Sequence, residues 1–579
     1  MLLKTKIDEL VGLAQQKKEV SLQDAAAELG MDAAAVERIG RILAKEGIVE
    51  LLFPLNVMQK PFLKFKQKPV DEVPMPKSTA KMIETYKVES EEGHIAADVI
   101  IQFDEKDKRP FYNIDLARVS AVTTTYMRGL KDEIARELPL ESEFGTTESM
   151  AAQFHKRSSL TEAKLMRDLG KGQKDLKLLA GILMHAMYGL GNIEVLMSDD
   201  WLEEIIVNNA NSPVAVYHRK HGWCKTNVRI VKEEDIYNYS SQIGRKVGKQ
   251  ISVLAPILDA QLTTGDRVNA TLYPISAAGN TITIRKFARN PWTLVNFIDK
   301  KYATMSTEMA AMLWQAMHYE MNVLIAGGTA SGKTSALNAL AAFIPPYQRI
   351  ISIEDTREIM LPSFQWNWVP TVTRTPNPEG LGAVGMLDLM VASLRMRPDR
   401  IIVGEVRRRQ EAEVLFEAMH TGHSVYSTLH ADTGTQVIRR LTEPPIEVPP
   451  MELEALHLVV VQYRDRRKNI RKTLEISEVG TSVEGKIDVS KVYQWRPRND
   501  VFEKVKEPRR YVEELNLHTG MTIAEIQADQ KRKQGVLEWM VRKKVYDIEG
   551  VGAVMRAYYG NEDAVVDAAE KDLPLSKLL

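Results

Sequence analysis

The chain has 579 residues, enough for three or four domains with full hydrophobic cores. Lys+Arg and Asp+Glu each total 77, so the overall charge gives no support to a nucleic-acid or membrane-surface binder. The single cysteine, Cys224, excludes a disulfide scaffold and any multi-cysteine zinc site within one chain, and it fits a reducing cytosol.

The start, Met1-Leu-Leu-Lys-Thr-Lys-Ile-Asp, lacks the apolar region of a signal peptide. The apolar run 178–190 contains His185 and falls short of the roughly 20 residues a membrane span needs. A cytoplasmic protein is expected, one that reaches a membrane only through a partner or a surface. In residues 1–66, Ser21-Leu-Gln-Asp24 resembles a capping box opening a short helix. Gly30 breaks that helix, and Asp32 caps a second one running to Lys45. Val36, Ile39, Ile42 and Leu43 form an apolar face of the second helix, and 47–53 reads as a strand. This order resembles a winged helix-turn-helix. Its candidate recognition helix carries Arg38, Arg41 and Lys45 but also Glu37 and Glu46, a balance that favours protein contact over DNA contact.

Residues 67–84, with Pro69, Pro74 and Pro76, read as a linker. In 85–191, strand-like runs at 96–103 and 111–114 precede a helix near 117–138, a polar bridge at 141–157 and a mostly helical stretch. Residues 192–290 look like one α/β unit. It has strands near 203–208 and 214–218, a helix near 233–247, and hairpin-like strands around Arg267 and Thr281–Arg285. Asn290-Pro-Trp-Thr begins a hinge into a nucleotide domain, 291–480. The tail, 481–579, reads as charged and helical, with Thr522-x-x-Glu525 capping a long helix. Ile523, Ile526, Leu537, Met540 and Val541 would line one face of it, leaving Lys531-Arg-Lys and Arg542-Lys-Lys exposed. That face could pack on the nucleotide domain, or the helix could meet an acidic face of a membrane platform protein.

The most specific stretch is Val323-Leu-Ile-Ala-Gly327-Gly328-Thr329-Ala330-Ser331-Gly332-Lys333-Thr334-Ser335. An apolar strand leads into Gly-x-x-x-x-Gly-Lys-Thr, and a helix follows. That context makes the pattern a phosphate-binding loop. Gly327 and Gly332 let backbone N–H groups turn inward onto an anion. Lys333 would reach the β- and γ-phosphates of ATP, and the Thr334 hydroxyl would sit on Mg²⁺.

Three further blocks follow. Ile350-Ile-Ser-Ile-Glu354-Asp355-Thr-Arg-Glu358 is a buried-type strand ending in acids. Arg400-Ile-Ile-Val-Gly404-Glu405-Val-Arg407 is another. Then comes Thr421-Gly-His423-Ser-Val-Tyr-Ser-Thr428-Leu-His430-Ala-Asp432. In order and spacing the four blocks resemble the Walker A, Asp box, Walker B and His box of the type II/IV secretion ATPases, nearest their archaeal branch, over roughly 85–480. The tetracysteine zinc element of many bacterial members cannot exist here. Arg408-Arg409-Gln410-Glu411 also departs from the bacterial pattern after Walker B.

The resemblance implies a RecA-like ATPase domain preceded by a smaller, PAS-like α/β arm. It implies a hexameric ring and a polytopic membrane platform as partner, acting on pilin-like subunits. Glu405 would polarise the attacking water, with the alternative that it only pairs with Arg407. Mg²⁺ would fall to Thr334 with help from Glu354, Asp355 or Glu358. His423 would contact the γ-phosphate region. Arg267 and Arg285 match positions of trans-acting arginines, while Arg395 and Arg407 could act in cis. A conjugation or DNA-uptake motor is the rival reading.

Overall fold

In the computed structural model the chain divides into two units, Met1–Phe287 and Ala288–Leu579. The described residues are 2–54, 60–67, 81–89, 96–105, 108–116, 118–137, 147–170, 176–188, 190–262, 264–287, 290–376, 380–468, 470–481 and 487–578. The prolines of the expected linker and the first part of the polar bridge lie outside them.

The first unit opens with helices α1 (Lys6–Lys17), α2 (Leu22–Leu29) and α3 (Ala33–Lys45). Strands β1 (Glu19–Ser21), β2 (Val49–Leu52) and β3 (Phe62–Phe65) form a small sheet in the order β1-β3-β2. Ser21 accepts a hydrogen bond from the Asp24 N–H, and Gly30 ends α2 in the left-handed region. These elements do not stand apart as 1–66. Val36, Ile39 and Leu43 of α3 share one core with Tyr126 and Leu130 of α4 (Ala121–Glu137). Leu165 of α5 (Thr147–Leu169) and Leu183 of α6 (Leu176–Tyr188) belong to it too. Contact between α3 and α4 is close enough that a Cβ added at Gly129 would come within 2.3 Å of Ile42 Cγ2. Arg38 is spent on the buried Asp168 at 2.8 Å, where the Tyr126 hydroxyl also donates at 2.7 Å. Arg41 pairs with Glu37 at 2.6 Å.

Leu2–Leu3 and Arg118–Val119 pair in parallel as a separate two-stranded ladder, and nine further strands of this unit make one sheet. They are β4 (Lys81–Glu89), β5 (Ala96–Asp104), β6 (Arg109–Leu116), β7 (Leu202–Val207), β8 (Pro213–His218), β9 (Gly222–Arg229), β10 (Ile257–Gln261), β11 (Arg267–Thr271) and β12 (Thr281–Arg285). Their order is β10-β11-β12-β7-β8-β9-β6-β5-β4. The expected boundary between 85–191 and 192–290 is therefore corrected, and 81–84 is strand rather than linker. β6 and β9 pair in parallel, with Phe111 opposite Lys225, and the Asn227 amide bonds both the N–H and the carbonyl of Ile114. Tyr86 and Tyr112 both donate to the buried Asp199, at 2.6 and 2.7 Å. Helix α7 (Glu233–Lys246) buries Ile236 and Ile243 in the same core.

The second unit is built on a second nine-stranded sheet. Six strands are parallel: β13 (Val323–Gly327), β14 (Ile350–Glu354), β15 (Trp368–Val372), β16 (Arg400–Val403), β17 (Ser424–Leu429) and β18 (Leu458–Asp465). Three antiparallel strands continue it: β19 (Ile470–Thr481), β20 (Ile487–Arg496) and β21 (Val501–Lys504). The order is β15-β14-β16-β17-β13-β18-β19-β20-β21. β13, β14, β16 and β17 are buried at every position, as parallel strands covered on both faces must be. Leu324 and Ala326 pack with α10 (Met386–Ser393), α11 (Arg409–His420) and α12 (Gly434–Thr442). Val323 and Ile325 face the opposite layer, α8 (Thr307–His318) and α9 (Lys333–Ala341).

The expected helical tail from 481 is corrected at its start. Residues 487–504 are strands β20 and β21, whose Val492, Tyr493 and Trp495 are buried. Helices α13 (Arg510–Thr519), α14 (Ile523–Arg542), α15 (Ile548–Gly560) and α16 (Glu562–Glu570) then join the α8–α9 core through Tyr511, Leu537, Trp539 and Met555. Thr522 and Glu525 do form the capping box of α14. Ile526, Leu537 and Met540 are buried, but Ile523 is exposed, and Lys533 is fully buried rather than part of an exposed basic cluster. Among the described residues no helix is long and apolar enough to cross a membrane.

Candidate functional site

Parallel strands present their carboxyl ends at one edge of the sheet, where α/β proteins bind ligands. In-register pairing brings the ends of β13, β14, β16 and β17 to that edge. Ala326 lies opposite Leu429, Val403 opposite Ser427, and Ile353 opposite Val403. The phosphate loop follows β13 directly. Gly327 has φ 151°, and a Cβ there would lie 2.4 Å from both Gln462 O and Ser331 Oγ, so only glycine fits. Thr329 and Ala330 cross the loop, and Gly332 at φ 96° caps α9. Lys333, Thr334 and Ser335 form the first turn of α9, where backbone N–H groups lack helical partners and the helix dipole favours an anion.

A chain of polar contacts runs from this loop across the strand ends. Lys333 Nζ lies 3.2 Å from Gly328 O and 3.2 Å from His430 Nδ1. Burial holds the lysine pKa below its ordinary value, against the opposing pull of Glu405, Glu358 and Asp432. His430 is likewise lowered, first by burial and then by the Lys333 charge. An ammonium only donates, so Nδ1 is the accepting nitrogen and Nε2–H faces Glu405 Oε1 at 3.2 Å. Arg407 closes the chain, at 2.7 Å from Glu405 Oε2 and 2.8 Å from Asp355 Oδ2. From the opposite flank, Arg471 of β19 donates Nε–H to Ala330 O at 3.2 Å.

Glu354 ends β14. Its Oε1 accepts the N–H groups of Glu358 and Ile359 at 2.8 and 2.9 Å, while its buried Oε2 has no hydrogen-bond partner among the described residues. Burial pushes its pKa up to about 7, with the Glu358 charge adding to the rise. Asp355, expected as a metal ligand, is held by Arg407 and by the Thr373 hydroxyl at 3.3 Å. Among the described residues no group of three or more His, Cys, Asp or Glu could hold a metal. Thr334 and the orphaned Glu354 Oε2 are each oxygen donors of the kind Mg²⁺ takes, one or two from protein with the rest of its shell from phosphate oxygens and water.

His423 is not among the residues in this contact chain, and Arg267 and Arg285 lie in the other unit. His423 precedes β17 at the amino edge of the sheet, roughly 20 Å of strand away from His430. Its Nδ1 lies by the Thr421 hydroxyl at 3.1 Å and Ala418 O at 3.2 Å. The histidine at the phosphate loop is His430. The strand-end rule identifies it, because only the residue after an apolar strand reaches the carboxyl edge. Arg267 and Arg285 belong to the first unit, directly opposite each other on β11 and β12. Arg267 bonds Asp259 at 3.2 and 2.9 Å, and the Arg285 charge partly offsets the burial that raises the Glu204 pKa.

The raised pKa of Glu354 has a consequence for stability. A carboxyl raised from an ordinary 4.5 to about 7 on folding stabilises the fold fully below pH 4.5, and that contribution disappears as pH rises through 7. At about 1.4 kcal/mol per pH unit the loss is about 3 kcal/mol. Glu354→Gln should flatten this dependence, so that urea unfolding at pH 5 and pH 8 differs less in the variant than in the parent. Parallel pH curves would contradict the assignment.

The family model described as Type II/IV secretion system protein matches residues 191–542. An uncharacterized protein of Methanocaldococcus jannaschii is 35% identical over 387 residues, which is 65% of this chain and 69% of the relative. Type IV secretion system protein PtlH of Bordetella pertussis is 30% identical over 261 residues, 42% of this chain and 76% of PtlH. The solved VirB11 ATPase of the Brucella suis type IV secretion system aligns with 48% of this chain and 90% of its own at 24% identity, with a TM-score of 0.25.

Proposed function

The chain belongs to the type II/IV secretion system protein family, and from that membership we propose that it is a Mg²⁺-dependent ATPase that powers assembly or secretion of pilin-like subunits. The observation that carries the reading is the contact chain Lys333–His430–Glu405–Arg407 along the carboxyl edge, beside a glycine-built phosphate loop. ATP would lie with its phosphates on the N–H groups of 328–335. Lys333 would turn from His430 and Gly328 O to the β- and γ-oxygens. Glu405, steered by Arg407 and the His430 N–H, would orient and polarise the attacking water. Thr334 and Glu354 would hold Mg²⁺, which when bound neutralises charge on the β- and γ-phosphates. Loss of the γ-phosphate would return Lys333 to His430, so that the histidine reports the nucleotide state to Glu405.

In this reading the second unit is the RecA-like motor domain. The first unit supplies a PAS-like arm and a winged-helix-like start. Arg267 and Arg285 complete the site of a neighbouring subunit in a hexameric ring, because a guanidinium fork matches charge spread over γ-oxygens. A polytopic membrane platform would recruit the ring to the cytoplasmic face of the membrane and pass its motion to pilin-like subunits. Nucleic acid is a poor partner for this chain. Of the basic residues on α3, Arg38 is committed to Asp168 and Arg41 to Glu37. That counts against the conjugation or DNA-uptake reading.

Mixing two inactive variants tests the ring. Arg285→Ala and Glu405→Gln should each hydrolyse ATP poorly alone. When combined, an Arg285 from one subunit meets an intact Glu405 in the next, so turnover should recover to a measurable fraction of the parent rate. Mixtures no faster than the separate proteins would place Arg285 outside a shared site.

A further inference from the structure

Strand β18 runs past its neighbour. Gly327, the last residue of β13, pairs with Gln462, and β18 continues through Tyr463, Arg464 and Asp465 before β19 returns from Ile470. The hairpin therefore overhangs the phosphate loop at the carboxyl edge. Its turn is fastened by Asp465, whose Oδ1 accepts the N–H groups of Arg467 and Lys468 at 2.9 and 3.2 Å. On the returning strand, Arg471 bonds Ala330 O, and its Cδ stands 3.6 Å from where a Cβ of Gly332 would be. Among the described residues no carboxylate pairs with this guanidinium. One of its five N–H groups holds the loop, which leaves a planar fork at the rim of an anion cradle.

The flank decides which part of a nucleotide it meets. The strand order places β17 and β16, with His430 and Glu405, on one side of β13, and β18–β19 on the other. A nucleotide whose γ-phosphate lies beside Glu405 and whose β-phosphate fills the loop extends its α-phosphate toward the β18–β19 flank. We propose that Arg471 is a further nucleotide-binding residue, one that takes an oxygen of the α- or β-phosphate and secures the loop through Ala330. The inference rests on the ATPase reading above. A contact made equally to bound ATP, transition state and ADP lowers KM without raising kcat.

Steady-state hydrolysis together with titration of ADP and ATP tests this on the full chain, with Lys333→Ala measured in parallel. For Arg471→Ala the KM for ATP and the Kd for ADP should each rise about tenfold, as for loss of one charge-assisted hydrogen bond, with kcat within about twofold. Arg471→Lys keeps the charge without the fork and should fall between. It also serves if the alanine variant fails to fold. Unchanged KM and Kd in both variants would overturn the inference. So would a kcat loss with ADP affinity intact, which would put Arg471 on the γ-phosphate. If Lys333→Ala loses binding while Arg471→Ala does not, the ATPase reading survives and only this inference falls. A parent protein that binds neither nucleotide would overturn both.

Discussion

Replacing Glu405 by Gln should lower maximal ATP turnover by about 10²–10⁴-fold, the usual worth of a positioned general base, and leave nucleotide affinity nearly unchanged. Glutamine is isosteric and keeps an oxygen for the Arg407 fork or the His430 N–H, now 2.7 and 3.2 Å from the carboxylate. What it loses is the charge that polarises a water. In the proposed reading binding depends on the loop N–H groups and Lys333, which the substitution leaves in place. It also removes a negative charge facing Lys333, so affinity for a polyanion should hold or rise. Single-turnover hydrolysis and nucleotide titration separate the two effects. Retained turnover would move the base to Glu354, another carboxylate at this edge, whose Oε2 lacks a protein partner among the described residues.

The phosphate loop was legible because its chemistry is local. The φ values of Gly327 and Gly332 and the helix start at Lys333 and Thr334 are specified by a dozen consecutive residues. Glu354 and Glu405 were legible as acids after apolar strands. His423 and His430 flank the same strand, and only parallel register shows that His430 stands at the end next to the glycine-rich loop. The setting of Asp355 is hidden for a related reason. Its partner, Arg407, sits on a different strand end, and a sequence does not show which acids are already paired.

Domain boundaries failed where long-range pairing mattered. The β6–β9 ladder joins residues more than a hundred apart, and Asp199 is buried only because Tyr86 and Tyr112 reach it. Charge patterning misled in the tail. Lys531-Arg-Lys looks like an exposed basic cluster, yet at helical spacing its third member faces the same side as Val536 and Met540.

That buried lysine yields the larger stability prediction. Asp529→Ala should destabilise the protein by about 3–5 kcal/mol. Asp529 is 1% exposed and Lys533 0%, with Lys533 Nζ 2.5 Å from Asp529 Oδ1. The Gln315 amide donates to Asp529 Oδ2 at 2.6 Å, and the Tyr511 hydroxyl donates to Gln315 Oε1 at 2.7 Å, so α8, α13 and α14 meet at this carboxylate. Trp314, Tyr319 and Tyr558 surround the ammonium at 5.6, 5.5 and 5.4 Å, which favours the cation but cannot replace its counter-charge. Burial already lowers the Lys533 pKa, and removing Asp529 lowers it further. The unfolded state then binds more protons than the folded one, so the variant's deficit should shrink as pH rises from 7 toward 10. Combining Asp529→Leu with Lys533→Leu, which removes both charges, should cost far less than Asp529→Ala alone. A loss below about 1 kcal/mol for Asp529→Ala would mean that α14 contributes little to the fold. The expected larger loss makes residues 510–570 an integral layer of the second unit. Deleting them would then strip its core, and a loss of membrane recruitment after such a deletion would report unfolding rather than a severed docking contact.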